Sequence, residues 1–187
     1  MISTQPENLQ EIVDIIFKWI YVKLMESSNT TFALNVYDFY NTMFSHLVES
    51  QYILWDHEAH VVIPMLCSQS GVNNKTLQAK IKALIKMCFD LHDHRKTLIL
   101  IIKYGCQHKN LKSVAESLDE VAHYISKHGI DNINEPQAKV VAKLCDSGDA
   151  GVREKALQVL SEIYKILDED VWSIIGNVSI KAKGLLE

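Results

Sequence analysis

Four stretches of the chain repeat one spacing of apolar side chains. Val36, Tyr40, Met43, Phe44 and Leu47 form the first set, and Leu77, Ile81, Leu84, Ile85 and Cys88 the second. Val114, Leu118, Val121, Ala122 and Ile125 form the third, and Val152, Ala156, Val159, Leu160 and Ile163 the fourth. Each set follows the offsets 0, 4, 7, 8 and 11, which at 3.6 residues per turn puts all five side chains on one helix face. Between them lie more uniformly apolar segments, roughly residues 8–25, 57–69, 95–105 and 136–145. Helices apolar on several sides are expected to be buried between neighbours. Strand signals are poor, with few alternating runs and no Asn-Gly or Asp-Gly hairpin turn.

The first members of the four sets are 41, 37 and 38 residues apart. A period near 40 carried by helices alone marks a repeat array rather than a single bundle. The expected fold is all-α, an α-α superhelix of the HEAT-like or armadillo-like kind. Its antiparallel pairs span approximately 8–49, 56–91, 94–128 and 136–168, with a partial pair over 170–187. The segment "DED" at 168–170 reads as a charged start for the helix "VWSII", favourable near the amide end of its dipole. The last residues, "KAKGLLE", stop in mid-pattern, so the chain is expected to be a domain from something longer.

The turns inside the pairs carry helix-starting chemistry. "SSNTT" (27–31), "GVNNK" (71–75), "QHKN" (107–110) and "DSGDAG" (146–151) supply Asn, Asp, Ser or Thr to accept hydrogen bonds from the first free amides of the next helix. In a regular array these turns line up along one edge, and the connections between pairs line up along the other. The intra-pair edge carries a net positive charge and the inter-pair edge a net negative one, although the whole chain is at −4. A basic edge on an acidic protein points to an acidic partner met along a line. Its cations are too sparse, and too free of interleaved aromatics, for nucleic acid.

At 187 residues, 48% of them apolar and 22% charged, the chain is long enough to bury a substantial core. No apolar run spans a membrane, since "IIFKWIYVKLM" is broken by Lys18 and Lys23. The N-terminus lacks the order of a signal peptide. Cys67, Cys88, Cys106 and Cys145 form no CxxC pair and read as small apolar fillers of a reduced intracellular protein. No base and orienting group accompany them, so neither catalysis nor a cofactor is expected. His57 and His60 stand one helical turn apart with no third ligand in view, which is weak ground for zinc. His92 and His94 read as solvated, Trp19 and Trp172 as core, and Trp55 as packed over the junction before the second pair.

Four stretches carry a resemblance: "DIIFKW" (14–19), "KNLKSVAESLDEV" (109–121), "SGDAGVREKAL" (147–157) and "IGNVSIKAKGLLE" (175–187). With these the chain resembles the TOG domain, the HEAT-repeat tubulin-binding module of microtubule polymerases, over nearly its whole length. The Lys-Asn third turn, the Asp-x-x-Val-Arg fourth turn and the run from "IGN" to "LLE" look most like a fourth TOG domain of such an array.

The resemblance implies binding of the curved αβ-tubulin heterodimer at the microtubule plus end through the intra-pair turns. It carries the contact role onto Thr30 and Asn73 in the first two turns, Lys109, Asn110 and Lys112 at the third, Arg153 at the fourth, and Lys181 and Lys183 at the fifth. It implies a non-enzymatic protein of the cytoplasm and cytoskeleton (microtubules, spindle and centrosome), working beside neighbouring TOG domains, with no nucleic acid and no membrane. Two features depart from the family pattern. Thr30 stands where strong binders carry a tryptophan, and Gln78 with Ala79 where they carry a basic pair. Loss of an aromatic anchor costs about 2 kcal/mol or more, so weaker binding or reliance on tethered neighbours is expected. The alternative is a HEAT-type adaptor for a different acidic protein or a neighbouring domain.

Overall fold

The computed structural model describes residues 12–27, 29–175 and 184. The described chain is helical throughout. It runs α1 (Val13–Glu26), α2 (Thr30–Glu49), α3 (Asp56–Gln69), α4 (Lys75–Leu91) and α5 (His94–Leu100), which continues as a π-helical turn, Ile101–Gly105. Then come α6 (Leu111–His128), α7 (Glu135–Leu144), α8 (Ala150–Leu167), a 3-10 turn at Asp168–Asp170, and α9 (Val171–Ile175). The start of the expected first helix, residues 8–11, lies outside the described residues.

The four periodic sets become α2, α4, α6 and α8, and every member of every set is buried. Each of these helices starts from a side-chain cap. Asn29 accepts from Phe32 N, Asn74 from Leu77 N, Asn110 from Lys112 N, and Asp149 from Val152 N. A cap of this kind is worth about 1 kcal/mol, and it fixes where each turn ends.

The helices form two layers. In one, α2 packs on α4, α4 on α6 and α6 on α8; in the other, α1 packs on α3, α3 on α5, the π-turn on α7, and α7 on α9. One continuous apolar core lies between the layers. At its N-terminal end Phe17 of α1 meets Tyr40 and Phe44 of α2, each with ring centroids 5.8 Å apart.

Several expectations are corrected. Burial between neighbours holds for α3 and α5 but not for α1, which among the described residues has a neighbour on one flank only. Ile15 is 60% and Trp19 58% exposed there, so Trp19 is not core. Trp55 does not pack over the junction either; it stands 66% exposed just before α3. Trp172 is half-buried against Tyr164, its Nε1 donating to Glu169. His92 is buried, with hydrogen bonds to Thr97 Oγ1 at 3.0 Å and Asp56 Oδ1 at 3.2 Å, while His94 is half-buried against the Tyr124 hydroxyl at 2.8 Å. A linker that joins two helix ends against a third has too little room to leave its imidazoles in water.

The four cysteines are buried and unpaired. Burial pushes the Cys67 and Cys145 thiols up to about 12, which makes them poor nucleophiles.

Candidate functional site

An edge lined by turns exists only if the second helices of the pairs run parallel and in step. Ion pairs across that layer fix both properties. Asp38 of α2 bonds Lys80 of α4; Lys82 of α4 reaches Glu116 and Asp119 of α6 at 2.6 and 2.9 Å; Asp119 in turn meets Lys155 of α8 at 2.6 Å. All of these residues lie at similar depth, about one and a half to two and a half turns into their helices. The four N-termini, and the turns that precede them, therefore share one edge. Each helix adds its amide end, with a partial positive charge, to the side chains there.

The second and third turns are tied directly. Lys112 Nζ donates to Asn73 Oδ1 at 2.6 Å, and Ser113 Oγ donates to the Ser68 carbonyl at 3.0 Å. Gly71 makes this approach possible: a Cβ there would stand 2.5 Å from Ser113 N and 2.6 Å from Ser113 Oγ. Sequence reasoning placed Asn73 and Lys112 on the same edge but carried no signal that they touch, because the contact joins residues 39 apart.

The remaining expected residues take distinct positions. Thr30 is the exposed first residue of α2, immediately after its cap. Lys109 is exposed and takes part in no hydrogen bond or ion pair among the described residues, which leaves its charge available. Asn110 spends its side-chain oxygen on the α6 cap, and its backbone amide donates to His108 Nδ1 at 3.1 Å. Arg153 is half-buried and folds back on its own turn, Nη1 donating to the carbonyls of Ser147 at 2.7 Å and Gly148 at 3.1 Å. Lys181 and Lys183 lie outside the described residues. Gln78, where the family pattern has a basic residue, braces the second turn instead, its Nε2 donating to the Ser70 carbonyl at 3.3 Å. Lys75 adds an exposed cation beside it, bonded to Gln78 Oε1.

Among the described residues no cluster of His, Cys, Asp and Glu is arranged to hold a metal ion, and His57 and His60 gain no third ligand. No described helix is long and apolar enough to cross a membrane.

Comparison with known proteins places this architecture. Residues 40–181 match the family model described as "XMAP215/Dis1/CLASP, TOG domain". Protein MOR1 of Oryza sativa subsp. japonica is 32% identical over 181 residues, 95% of this chain and 9% of that protein. Protein mini spindles of Drosophila melanogaster is 20% identical over 175 residues, 94% of this chain and 8% of its own length. The chain thus spans about a tenth of the relatives it matches. A solved structure described as "TOG domain structure from C.elegans Zyg9" superposes with TM-score 0.88 at 20% identity, over 98% of this chain and 69% of that one. Another, described as "TOG-tubulin binding specificity promotes microtubule dynamics and mitotic spindle formation", gives TM-score 0.87 at 20% identity, over 97% of this chain and 72% of its own. These two likenesses concern the fold. With the family model matched from the middle of α2 through the second, third and fourth helix pairs and on to residue 181, the chain belongs to the XMAP215/Dis1/CLASP TOG-domain family.

Proposed function

We propose that this chain is a non-enzymatic αβ-tubulin-binding TOG domain of a microtubule polymerase, and that it meets tubulin along the edge formed by the intra-pair turns. The observation that carries this reading is the parallel, in-register arrangement of α2, α4, α6 and α8, which gathers their turns and amide ends on one side. Lys109, Lys112 and Arg153 supply side-chain charge there, with Lys181 and Lys183 of the fifth turn as further contributors. An acidic protein surface is the complementary partner, because opposed potentials steer encounter and fix register. Thr30 in place of an aromatic anchor makes the affinity modest. Neighbouring TOG domains in the parent protein offset this by raising effective concentration. The place of action that follows is the microtubule cytoskeleton, including the spindle and centrosome, with neither nucleic acid nor membrane as a partner.

Lys109 and Arg153 are expected to act differently. Lys109 has no partner to lose among the described residues, so its removal subtracts contact charge alone. Arg153 orders its turn with one terminal nitrogen and keeps the rest of its fork for a carboxylate. Unpolymerised tubulin titrated at low and moderate salt tests the reading. Binding is expected at low salt, weakening as salt rises and falling severalfold on Lys109→Ala and on Arg153→Ala. No binding at low salt, or binding indifferent to both substitutions, would transfer the edge to a different acidic protein and leave an adaptor domain.

A further inference from the structure

Two carboxylates are buried among the described residues, Glu58 at 2% exposure and Glu120 at 4%. Their surroundings differ. Glu58 is fully engaged: Oε1 accepts from the Tyr52 hydroxyl at 2.9 Å and Oε2 from the Trp55 amide at 2.8 Å. Glu120 takes part in no hydrogen bond or ion pair among the described residues. Its carboxylate lines the open clefts beside it, so the group is held by the fold but left for a donor from outside.

Glu120 sits on α6 at the floor of two adjoining clefts on the outer side of the second-helix layer. One, of about 130 Å³, lies between the C-terminal halves of α4 and α6; the other, of about 220 Å³, lies toward α8. One wall of the first is rigid. Tyr124 is sandwiched between Phe89 and His128, with ring centroids 4.5 and 4.8 Å away and planes within 23° and 24° of parallel. Its hydroxyl is held by Asn132 and His94, both at 2.8 Å. Asp90, a second carboxylate without a partner among the described residues, stands at the rim. Burial raises the Glu120 carboxyl above its ordinary range, opposed by the charges of Lys86 and Lys82. Lys82 is already committed to Glu116 and Asp119, which leaves Lys86 and Lys127 as the cations of the cleft without a partner among the described residues, Lys86 being the one that acts on the Glu120 charge.

From this geometry we infer that the cleft between α4 and α6 is a second docking site, which receives an arginine side chain of a protein partner with its guanidinium on Glu120. A planar guanidinium suits the cleft better than an ammonium. It is less strongly hydrated, tolerates contact with aromatic rings, and spreads five donors in a planar fork that matches a carboxylate. The cleft opens near the C-terminal end of α6. Glu120 is the tenth residue of α6, about 14 Å from its first at about 1.5 Å each, and the cleft runs on from there to His128, away from the turn edge. A partner seated here leaves the turns free, and the inference stands whether or not they bind tubulin.

The test needs no tubulin. Nα-acetyl-arginine amide is titrated into the isotopically labelled chain while the Glu120 carboxyl carbon and the Tyr124 and His128 rings are followed by NMR, with Nα-acetyl-lysine amide as the comparison. Saturable shifts at all three positions, weaker for the lysine compound, are expected. Glu120→Gln should weaken binding about tenfold, the usual scale for removing one partner of a charge-assisted pair. Lys86→Ala, an exposed change that leaves the core intact, should strengthen it by removing a competing cation. Shifts absent in the parent chain, shifts equal for the two compounds, or shifts unchanged by Glu120→Gln overturn the proposal. So does binding seen only after Lys86→Ala, which would make Lys86 the resident partner of Glu120.

Discussion

Lys112, one residue into α6, reaches back across the turn edge and donates to Asn73 of the preceding pair at 2.6 Å. The bond crosses from one repeat to the next at the edge assigned to tubulin, so it sets where the Lys112 charge is presented. Asn73→Ala and Lys112→Ala should each leave folding stability within about 0.5 kcal/mol, as surface changes usually do. In tubulin binding their effects should be non-additive, with the double variant no weaker than Lys112→Ala alone. A double-mutant cycle read by tubulin titration measures this, and additive losses would mean that Asn73 does not position the lysine.

Beneath that bond the two turns touch through Gly71. A methyl group there has no space between Ser113 N and Ser113 Oγ. Gly71→Ala should destabilise the domain by about 1–3 kcal/mol, the usual scale of overpacking, in urea unfolding. Ser113→Ala, which forfeits the bond to the Ser68 carbonyl, should cost about 1 kcal/mol. If Gly71→Ala proved neutral, the two turns would be further apart than described.

Asp119 links three helices by bonding Lys82 and Lys155. Burial alone would raise its carboxyl, but hydrogen bonds from Lys155 and Lys82 outweigh it and hold the group below its ordinary value. A carboxyl depressed in the folded state stabilises above its unfolded value and loses that contribution as pH falls through the folded one. Asp119→Asn should therefore cost about 1 kcal/mol at neutral pH, discounted because the side chain is 29% exposed, and the difference from the parent should begin to shrink as pH falls below 3.8 and vanish only once the folded carboxyl is itself protonated. Urea midpoints at several pH values measure it.

Arg153 closes the fourth turn on itself through one nitrogen bonding two carbonyls. Lysine carries the charge but not the fork. Arg153→Lys should thus speed amide hydrogen exchange at Gly148 and Asp149 nearly as much as Arg153→Ala does, while retaining more tubulin affinity. Equal loss of affinity in both would indicate that turn order, not charge, is what the partner reads.

Trp19 and Trp55 are more than half exposed, against expectation. Fluorescence of the native chain should be quenched efficiently by iodide, and Trp19→Phe should remove part of the quenchable signal without lowering the unfolding midpoint. Protection of both from iodide would mean that something covers this end of the array in solution.

The sequence by itself determined the repeat. The 0, 4, 7, 8, 11 spacing selected which face of α2, α4, α6 and α8 is buried, and Asn29, Asn74, Asn110 and Asp149 marked where those helices begin. Both signals are local, set by one helical turn and by one side chain reaching its own backbone. For the same reason the candidate edge was legible as a line of turns with a charge. Tertiary structure alone decided what depends on a neighbour distant in the chain. It left Trp19 exposed on α1, which has one flanking helix among the described residues, and it buried His92 against Asp56, 36 residues away. It also set Lys112 on Asn73, turned Arg153 inward, and left Glu120 in a cleft without a donor. Burial of an individual side chain depends on what packs beside it, and a periodic pattern specifies the face without naming the neighbour.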